Sequence, residues 1–283
     1  MTESIPFARE EQAQALRTHV ASNLGLDDAD LLISGAAPTA AEVLEFFAEL
    51  GIEIYEGWGM SETCAATTLA PTGANRVGTV GKAFPGVEVS LATDNELLVR
   101  GRLVTRGYRK DPEKTTETID ADGWLHTGDI GEIDADGYVK IVDRKKELII
   151  NAAGKNMSPS NVENALKAAC PLVGSAVAIG DRRPYNTALI TLDADAAKVY
   201  ARANGIQQTS PAQLAANPAI QAMIAAGIEQ GNGKLSRVEQ IKRHALLPNV
   251  WEPGGDELTP TMKLRRTPIA EKYAREIEGM YAR

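Results

Sequence analysis

The sequence has 283 residues, of which 43% are hydrophobic and 24% charged, the composition of a folded protein with one large or two ordinary domains. Its net charge of −8 argues against a surface that coats nucleic acid, and no apolar run reaches the roughly 18–20 residues of a membrane span. Because the amino terminus lacks a secretory signal and the two cysteines match neither a zinc site nor a disulfide framework, we predict a cytoplasmic protein with no nucleic-acid partner and no transmembrane segment.

The first part of the chain has the pattern of the edge of an α/β sheet. Residues 8–23 carry apolar side chains at helical spacing, and residues 31–34 form a short apolar run typical of a buried strand. Thr39 is the predicted N-cap of a helix that extends to Leu50 and whose apolar face includes Phe46. A second strand follows over residues 52–55. This order of strand, helix and strand predicts a parallel crossover, with ligands bound where the strands end.

A different pattern begins at residue 77. Short alternating runs between there and residue 142 predict a small antiparallel β subdomain with hairpin turns. Strands and helices then mix, and Ser158 with Pro159 begins a helix unless Ser160 and Glu163 form a capping box slightly later.

The charged residues 143–147 separate these two patterns, so we predict a domain boundary there. The predicted fold class is α/β. A partial large domain over residues 1–143 combines the edge of an α/β sheet with the antiparallel β subdomain. A smaller, mobile α+β domain follows over residues 144–283.

The first candidate site is the Gly-rich stretch over residues 55–63, Tyr-Glu-Gly-Trp-Gly-Met-Ser-Glu-Thr. Gly57 and Gly59 leave backbone N–H groups approachable, and the Ser61 hydroxyl can donate to a phosphate oxygen. Glu62 supplies a hard carboxylate oxygen suited to Mg²⁺. The alternative is a Gly-rich turn followed by a polar helix cap, since short Gly motifs often match by chance.

The second candidate covers residues 123–129, Gly-Trp-Leu-His-Thr-Gly-Asp. A carboxylate on a tight turn, here Asp129, can accept hydrogen bonds from two vicinal hydroxyls, as acidic residues do with ribose. The alternative is a hairpin aspartate in a Thr-Gly-Asp turn. His126 has no evident partner in the sequence, so we predict a partly buried histidine without a catalytic role.

Two basic segments complete the candidates. Residues 143–149, with residues 152–156 after them, are either a solvated charged face or a hinge that carries a nucleotide-contacting arginine. In residues 258–266, Pro260 and its threonine neighbours form a rigid loop that can present Lys263 to an anion. The alternative for that loop is a surface connection into the last helix.

In type, order and spacing, the four segments resemble the adenylate-forming superfamily of acyl-CoA synthetases, luciferases and peptide-synthetase adenylation domains. The resemblance is greatest to long-chain fatty acyl-CoA ligases and covers essentially the whole chain. Four phrases carry it: residues 31–38 (Leu-Leu-Ile-Ser-Gly-Ala-Ala-Pro), 57–63 (Gly-Trp-Gly-Met-Ser-Glu-Thr), 142–148 (Val-Asp-Arg-Lys-Lys-Glu-Leu) and 258–263 (Leu-Thr-Pro-Thr-Met-Lys).

The resemblance implies a role for individual residues. Ser61 would contact the α-phosphate and Glu62 the Mg²⁺ ion, and Lys263 would bridge the acyl carboxylate and the α-phosphate. Asp129 would bind the ribose hydroxyls of ATP or AMP with help from Arg144. The residues implied to line the adenine pocket are Ala36, Ala37, Pro38, Glu56, Gly57, Trp58 and Gly59.

The implied reaction converts a fatty acid, ATP and CoA to acyl-CoA, AMP and diphosphate. A fixed lysine charge and Mg²⁺ would stabilise the transition state in which the carboxylate attacks ATP. The small domain would then rotate about the hinge position matched by Lys146. That rotation would bring the Gly154 loop to line the pantetheine tunnel, so that the CoA thiol can attack the acyl-adenylate.

Members of the family also carry a larger N-terminal region with a Ser/Thr/Gly-rich loop whose lysine holds the β- and γ-phosphates. No such loop occurs in these 283 residues, so we expect a truncated or split ligase that needs a separate N-terminal half and cannot adenylate alone. An exposed sheet edge and apolar surface would follow. The alternatives are a non-catalytic remnant or interaction module that keeps the fold, and a chain that only forms the thioester from preformed acyl-adenylate.

Overall fold

The computed structural model describes residues 5–152, 154–207 and 210–282, and the side chains of residues 5–13 are outside that description. The chain divides into two compact units, Met1–Val142 and Asp143–Arg283. Among the described residues, no helix combines the length and apolarity needed to cross a bilayer.

The first unit begins with two helices and two short strands: α1 (Ile5–Asn23), β1 (Leu32–Ser34), α2 (Ala41–Glu49) and β2 (Ile54–Glu56). Strands β1 and β2 pair in parallel, with Leu32 opposite Ile54 and Ser34 opposite Glu56. The predicted parallel crossover is therefore confirmed. Because parallel strands point the same way, the loops that follow β1 and β2 lie at one edge of this sheet.

Three details of this crossover differ from prediction. The N-cap of α2 is Ala40 rather than Thr39, because the Thr39 N–H and hydroxyl are bonded elsewhere. Strand β1 is not buried: Ile33 is 57% exposed, because the described residues leave the face of β1 that carries it largely uncovered. On α2, Leu44 is buried while Phe46 of the predicted apolar face is exposed.

The antiparallel subdomain is confirmed. After the short pair β3 (Thr68–Leu69) and β4 (Lys82–Ala83), a four-stranded sheet runs in the order β5 (Val87–Leu91), β6 (Glu96–Gly101), β7 (Leu125–Ile133) and β8 (Val139–Arg144). Helix α3 (Pro112–Thr118) lies in the connection between β6 and β7. The core on one face of this sheet contains Trp58, Leu97, Val99, Leu125 and Val139.

The second unit is built on a three-stranded sheet in the order β11 (Val173–Ile179), β12 (Asn186–Leu192) and β13 (Ile241–Leu246). Strands β11 and β12 are antiparallel, and β13 pairs with β12 in parallel. Every residue of β12 is buried. The strands and helices are β9 (Ile149–Ile150), β10 (Asn156–Met157), α4 (Pro159–Ala169), β11 (Val173–Ile179), β12 (Asn186–Leu192), α5 (Ala194–Ala203), α6 (Pro211–Ala215), α7 (Pro218–Asn232), β13 (Ile241–Leu246), α8 (Arg266–Lys272) and α9 (Ala274–Tyr281).

Alternate residues of β12 fill the cores on the two faces of this sheet, as strand geometry requires. Ile190 packs in the core that includes Leu166 of α4, and Leu189 packs with Ile269 of α8. Ser158 is the N-cap of α4, as one prediction had it, and its hydroxyl accepts the Asn161 N–H at 3.0 Å. The alternative capping box is wrong, because the Glu163 carboxylate is buried and bonded to Arg266.

Candidate functional site

The Gly-rich stretch after β2 forms a tight turn whose backbone is fixed at both ends. The Trp58 carbonyl accepts the Thr67 N–H at 2.8 Å, and the Met60 carbonyl accepts the Ala65 N–H at 3.1 Å. A Cβ atom at Gly59 would lie 2.1 Å from the Ala65 carbonyl oxygen, so this position admits only glycine. At Gly57 the nearest atom would be 3.5 Å away, an ordinary contact.

Ser61 and Glu62 lie on a 3₁₀ helix of one turn (Ser61–Thr63) that follows. Ser61 is exposed, and among the described residues its hydroxyl has no hydrogen-bond partner. Glu62 is half-buried, and its Oε1 accepts a hydrogen bond of 2.7 Å from the Tyr108 hydroxyl. That bond to a carboxylate, together with burial, raises the pKa of Tyr108. The turn thus presents one hydroxyl and one carboxylate to solvent.

Glu56, at the end of β2, holds the loop that follows β1. Its buried carboxylate accepts the Thr39 N–H at 2.9 Å through Oε1. The exposed residues of the loop between them include Ala36, whose φ of +69° is left-handed. Ala36, Ala37 and Pro38 therefore lie beside Gly57 at the edge where both parallel strands end, as the Gly57 N–H donates to the Ser34 carbonyl at 2.9 Å.

Replacing Glu56 by glutamine should change how stability depends on pH. Burial raises the pKa of Glu56 above its usual 4.5, although the bond from the Thr39 N–H opposes the rise. A carboxyl group with a raised folded-state pKa stabilises the fold below its unfolded pKa and loses that contribution as pH rises through the folded pKa. Relative to wild type, Glu56→Gln should therefore gain stability between about pH 4 and about pH 7.

Urea unfolding of both proteins at the two pH values measures this difference. Glu88→Gln is the control, because a hydrogen bond from Arg100 lowers the pKa of Glu88 and its trend should have the opposite sign. A free-energy difference between wild type and Glu56→Gln that is equal at both pH values would contradict the expectation.

Both sequence interpretations place Asp129 on a turn, and both are wrong on this point. It lies within β7, where the register against β6 shifts between Glu96 and Leu98 and Gly128 has a φ of +73°. This bulge is held by the Glu96 carboxylate, which accepts the Gly128 N–H at 2.8 Å. Asp129 is buried, and its Oδ2 accepts a hydrogen bond of 2.8 Å from Nε1 of Trp58.

The Trp58 side chain is only 8% exposed and packs in the core of the antiparallel sheet. Its indole therefore connects the Gly-rich turn to Asp129, which is 71 positions away in the sequence. His126 does have partners: its ring nitrogens lie 3.4 Å from Glu96 and 3.8 Å from Asp120. No spacing rule relates these positions, so the sequence offered no signal for either arrangement.

The charged segment at the start of the second unit is anchored at both ends. The Asp143 carboxylate is buried and accepts bonds from the Ser158 hydroxyl at 2.6 Å and the Ser160 N–H at 3.0 Å. Glu147 binds Nε of Arg266 at 2.9 Å. Between these anchors, Arg144 and Lys146 are exposed.

Arg266 also forms a bidentate ion pair with the buried Glu163 carboxylate. The distances from its two terminal nitrogens to the two carboxylate oxygens are 2.6 and 3.0 Å. Burial alone would lower the pKa of Arg266, but the bonds and charges of Glu163 and Glu147 outweigh burial and raise it above its usual range. Arg266 therefore stays charged and ties helix α4 to the anchored end of the charged segment.

Lys263 is exposed at the end of a compact loop that immediately precedes α8. Leu258 and Leu264 pair across the base of the loop, and the Thr259 carbonyl accepts the Met262 N–H at 2.9 Å. Met262 has a left-handed φ of +61°. The bridge and the hydrogen bond thus define a compact loop, and its lysine is accessible.

Gly154 lies in the hairpin between β9 and β10. It has a φ of +75°, and its N–H donates to the Asn151 carbonyl at 2.9 Å. Space is open around the position where a Cβ would stand.

The predicted site residues divide between the two units. Residues 36–38, 56–62 and 129 belong to the first unit, and Arg144, Lys146, Gly154 and Lys263 belong to the second.

Two family models match this chain. The model described as AMP-binding enzyme covers residues 4–109, and the model described as AMP-binding enzyme C-terminal domain covers residues 146–283.

Two curated relatives come from Mycobacterium tuberculosis. The chain is 60% identical over 260 residues to fadD11, which is provisionally named a fatty-acid–CoA ligase, and 41% identical over 250 residues to the long-chain-fatty-acid–CoA ligase FadD15. The alignments take in 92% and 88% of this chain but 45% and 41% of those relatives. The chain thus spans less than half of their length.

A solved structure supports the fold. The adenylation domain of a carboxylate reductase from Mycobacterium chelonae superimposes with a TM-score of 0.74 at 21% identity. The superposition covers 97% of this chain and 42% of that one.

Proposed function

This chain belongs to the AMP-binding enzyme family, and from that premise we propose that it carries part of a long-chain fatty acid–CoA ligase. The whole reaction consumes a fatty acid, ATP and CoA and releases acyl-CoA, AMP and diphosphate. FadD15 is named for that activity. For this chain, the activity is proposed of a whole enzyme in which its two units would form one part.

The hydrogen bond between Trp58 and Asp129 is the observation that carries this assignment. It joins the Gly-rich turn and the buried carboxylate of β7, two segments whose separate roles are weak as sequence signals. A phosphate-binding turn beside a fixed carboxylate suits a nucleotide, because the turn can take the phosphates and the carboxylate can take the ribose hydroxyls.

In this site the exposed edge of the parallel sheet would hold the adenine, with Glu56 fixing the adjacent loop through Thr39. Trp58 would contribute its backbone there, since its side chain is buried against the β sheet. Asp129 would bind the ribose hydroxyls, and Arg144 would assist it. The residues proposed to surround the adenine are Ala36, Ala37, Pro38, Glu56, Gly57, Trp58 and Gly59.

Magnesium fits the donor set of the turn. Glu62 carries a hard carboxylate with Oε1 bonded to Tyr108, which leaves Oε2 for a cation that commonly takes one or two carboxylates with phosphate oxygens and water. Bound there, Mg²⁺ would neutralise charge on the phosphates. Ser61 would donate its exposed hydroxyl to the α-phosphate.

Lys263 would bring a positive charge to the acyl carboxylate and the α-phosphate, two anions that must approach each other for acyl-adenylate to form. Its compact loop limits the entropy lost when the lysine is positioned. For the second half-reaction, Lys146 would act as the hinge and the Gly154 hairpin would contact the pantetheine arm of CoA. The hairpin suits such an approach because the space around Gly154 is open.

Fatty acid-dependent exchange of labelled pyrophosphate into ATP tests the first half-reaction. The full chain is assayed alone and mixed with the part of FadD15 that this chain does not match. We expect exchange in the mixture and none from the chain alone, because its sequence holds no Ser/Thr/Gly-rich phosphate loop. Exchange by the chain alone would refute the need for that companion.

The alternatives give different results. A non-catalytic protein that keeps the fold would show no exchange in either sample. A chain limited to thioester formation would instead yield acyl-CoA when acyl-adenylate and CoA are supplied together, and no thioester above background would end that interpretation.

A further inference from the structure

Tyr108 makes a direct contact with the proposed magnesium ligand. Its hydroxyl donates to Oε1 of Glu62 at 2.7 Å, although the two residues are 46 positions apart in the sequence. Tyr108 belongs to none of the four segments on which the family resemblance rests. A second bond joins the same two regions, because the Thr105 N–H donates to the Glu62 carbonyl at 2.7 Å.

The loop around Tyr108 is itself fixed. The Tyr108 N–H donates to the Thr115 hydroxyl of α3 at 2.8 Å. Tyr108 also forms a β-bridge with Asp111, the N-cap of that helix. Gly107 has a φ of +136°, and a Cβ there would lie 2.5 Å from the Thr115 side chain. These contacts hold the phenol at the carboxylate.

A phenol on one carboxylate oxygen restricts what the other can do. No other described residue makes a hydrogen bond to the Glu62 carboxylate, so Tyr108 sets the orientation of its plane. Because Oε1 already accepts this hydrogen bond, a cation would compete with the phenol there, which favours single-oxygen ligation through Oε2. That arrangement suits Mg²⁺, which demands near-ideal octahedral geometry and keeps much of its water and phosphate coordination.

We propose that Tyr108 is a positioning residue that orients the Glu62 carboxylate and leaves Oε2 to bind the Mg²⁺ of Mg·ATP. This rests on the proposed nucleotide site. Hydrogen-bond partners of metal ligands commonly contribute about 10- to 100-fold to metal affinity. A purely structural Tyr108 would instead tie the loop to the turn without affecting the metal.

ATP binding by the full chain, measured by calorimetry over a range of Mg²⁺ concentrations and in EDTA, distinguishes these roles. In Tyr108→Phe, the Mg²⁺ concentration that gives half of the gain in ATP affinity should rise by about 10-fold. ATP affinity in EDTA should stay at the wild-type value. Glu62→Gln should remove most of the Mg²⁺-dependent gain.

Tyr138→Phe is the matched control, because it also removes one phenol hydroxyl from the first unit and lies outside the candidate segments; the Tyr138 hydroxyl donates to the Ala74 carbonyl at 2.6 Å. Its Mg²⁺ dependence should equal that of the wild type, and urea unfolding shows whether each variant is folded. A wild-type Mg²⁺ dependence in Tyr108→Phe, or an equal loss of ATP affinity with and without Mg²⁺, would overturn the inference while Glu62→Gln still supports the site. If the wild type gains no ATP affinity from Mg²⁺, or Glu62→Gln leaves the gain intact, the magnesium assignment and the inference both fail.

Discussion

Lys263→Ala is expected to lower fatty acid-dependent ATP–pyrophosphate exchange by about 100- to 1,000-fold in the reconstituted mixture. The reason is electrostatic: the carboxylate and the α-phosphate repel each other, and an accessible lysine on a compact loop would offset that repulsion in the transition state. Because Lys263 is exposed and its backbone bonds do not depend on its side chain, stability should change little.

Two variants sharpen this experiment. Arg265→Ala removes a neighbouring exposed charge and should leave exchange near the wild-type rate, whereas Lys263→Arg should recover part of the activity that alanine loses. Loss of exchange to the same degree in Arg265→Ala would assign the effect to the general charge of the loop. Full exchange in Lys263→Ala would remove the lysine from the mechanism.

Gly59→Ala should destabilise the first unit by roughly 3 kcal/mol. The added methyl group would lie 2.1 Å from the Ala65 carbonyl oxygen and 2.8 Å from the Ala66 Cα atom, and neither backbone atom can move without opening the turn. Urea unfolding followed by tryptophan fluorescence measures the change, since two of the three tryptophans lie in the first unit.

Gly57→Ala separates folding from binding at the same motif. Its methyl group would meet the Leu69 side chain at 3.5 Å, so the free energy of unfolding should stay within about 1 kcal/mol of wild type. If Gly57 borders the adenine as proposed, ATP affinity should nevertheless fall.

For the Gly59→Ala prediction, the contradicting result is an unfolding midpoint equal to that of wild type, which would rule out the steric role of Gly59.

Local signals account for the parts of the fold that the sequence predicts. The order of strand, helix and strand from β1 to β2, the alternating strands of the antiparallel sheet and the Ser158 cap each show in the periodicity or capping chemistry of a short segment. The position of the α2 cap is less predictable, because Thr39 can satisfy its polar groups in more than one way. The two-residue strands are also hard to predict, because they are too short to show a periodic pattern.

Long-range contacts explain what the sequence does not predict. The bulge that holds Asp129 depends on Glu96, and the Asp129 carboxylate depends on Trp58; neither pairing follows from spacing. Similarly, the local sequence suggests a capping role for Glu163, but the partner of its carboxylate is Arg266, 103 positions later. The sequence likewise holds no signal for the role of Tyr108, since only the fold brings it to Glu62.

The two anchors of the charged segment have a mechanical consequence. Asp143 is tied to the start of α4, and Glu147 is tied through Arg266 to the middle of the same helix. Because both anchors hold the same helix, a rotation of the backbone at residues 144–146 would have to break one of them. The bonds of Asp143 and Arg266 would therefore oppose any change of backbone conformation at these three residues.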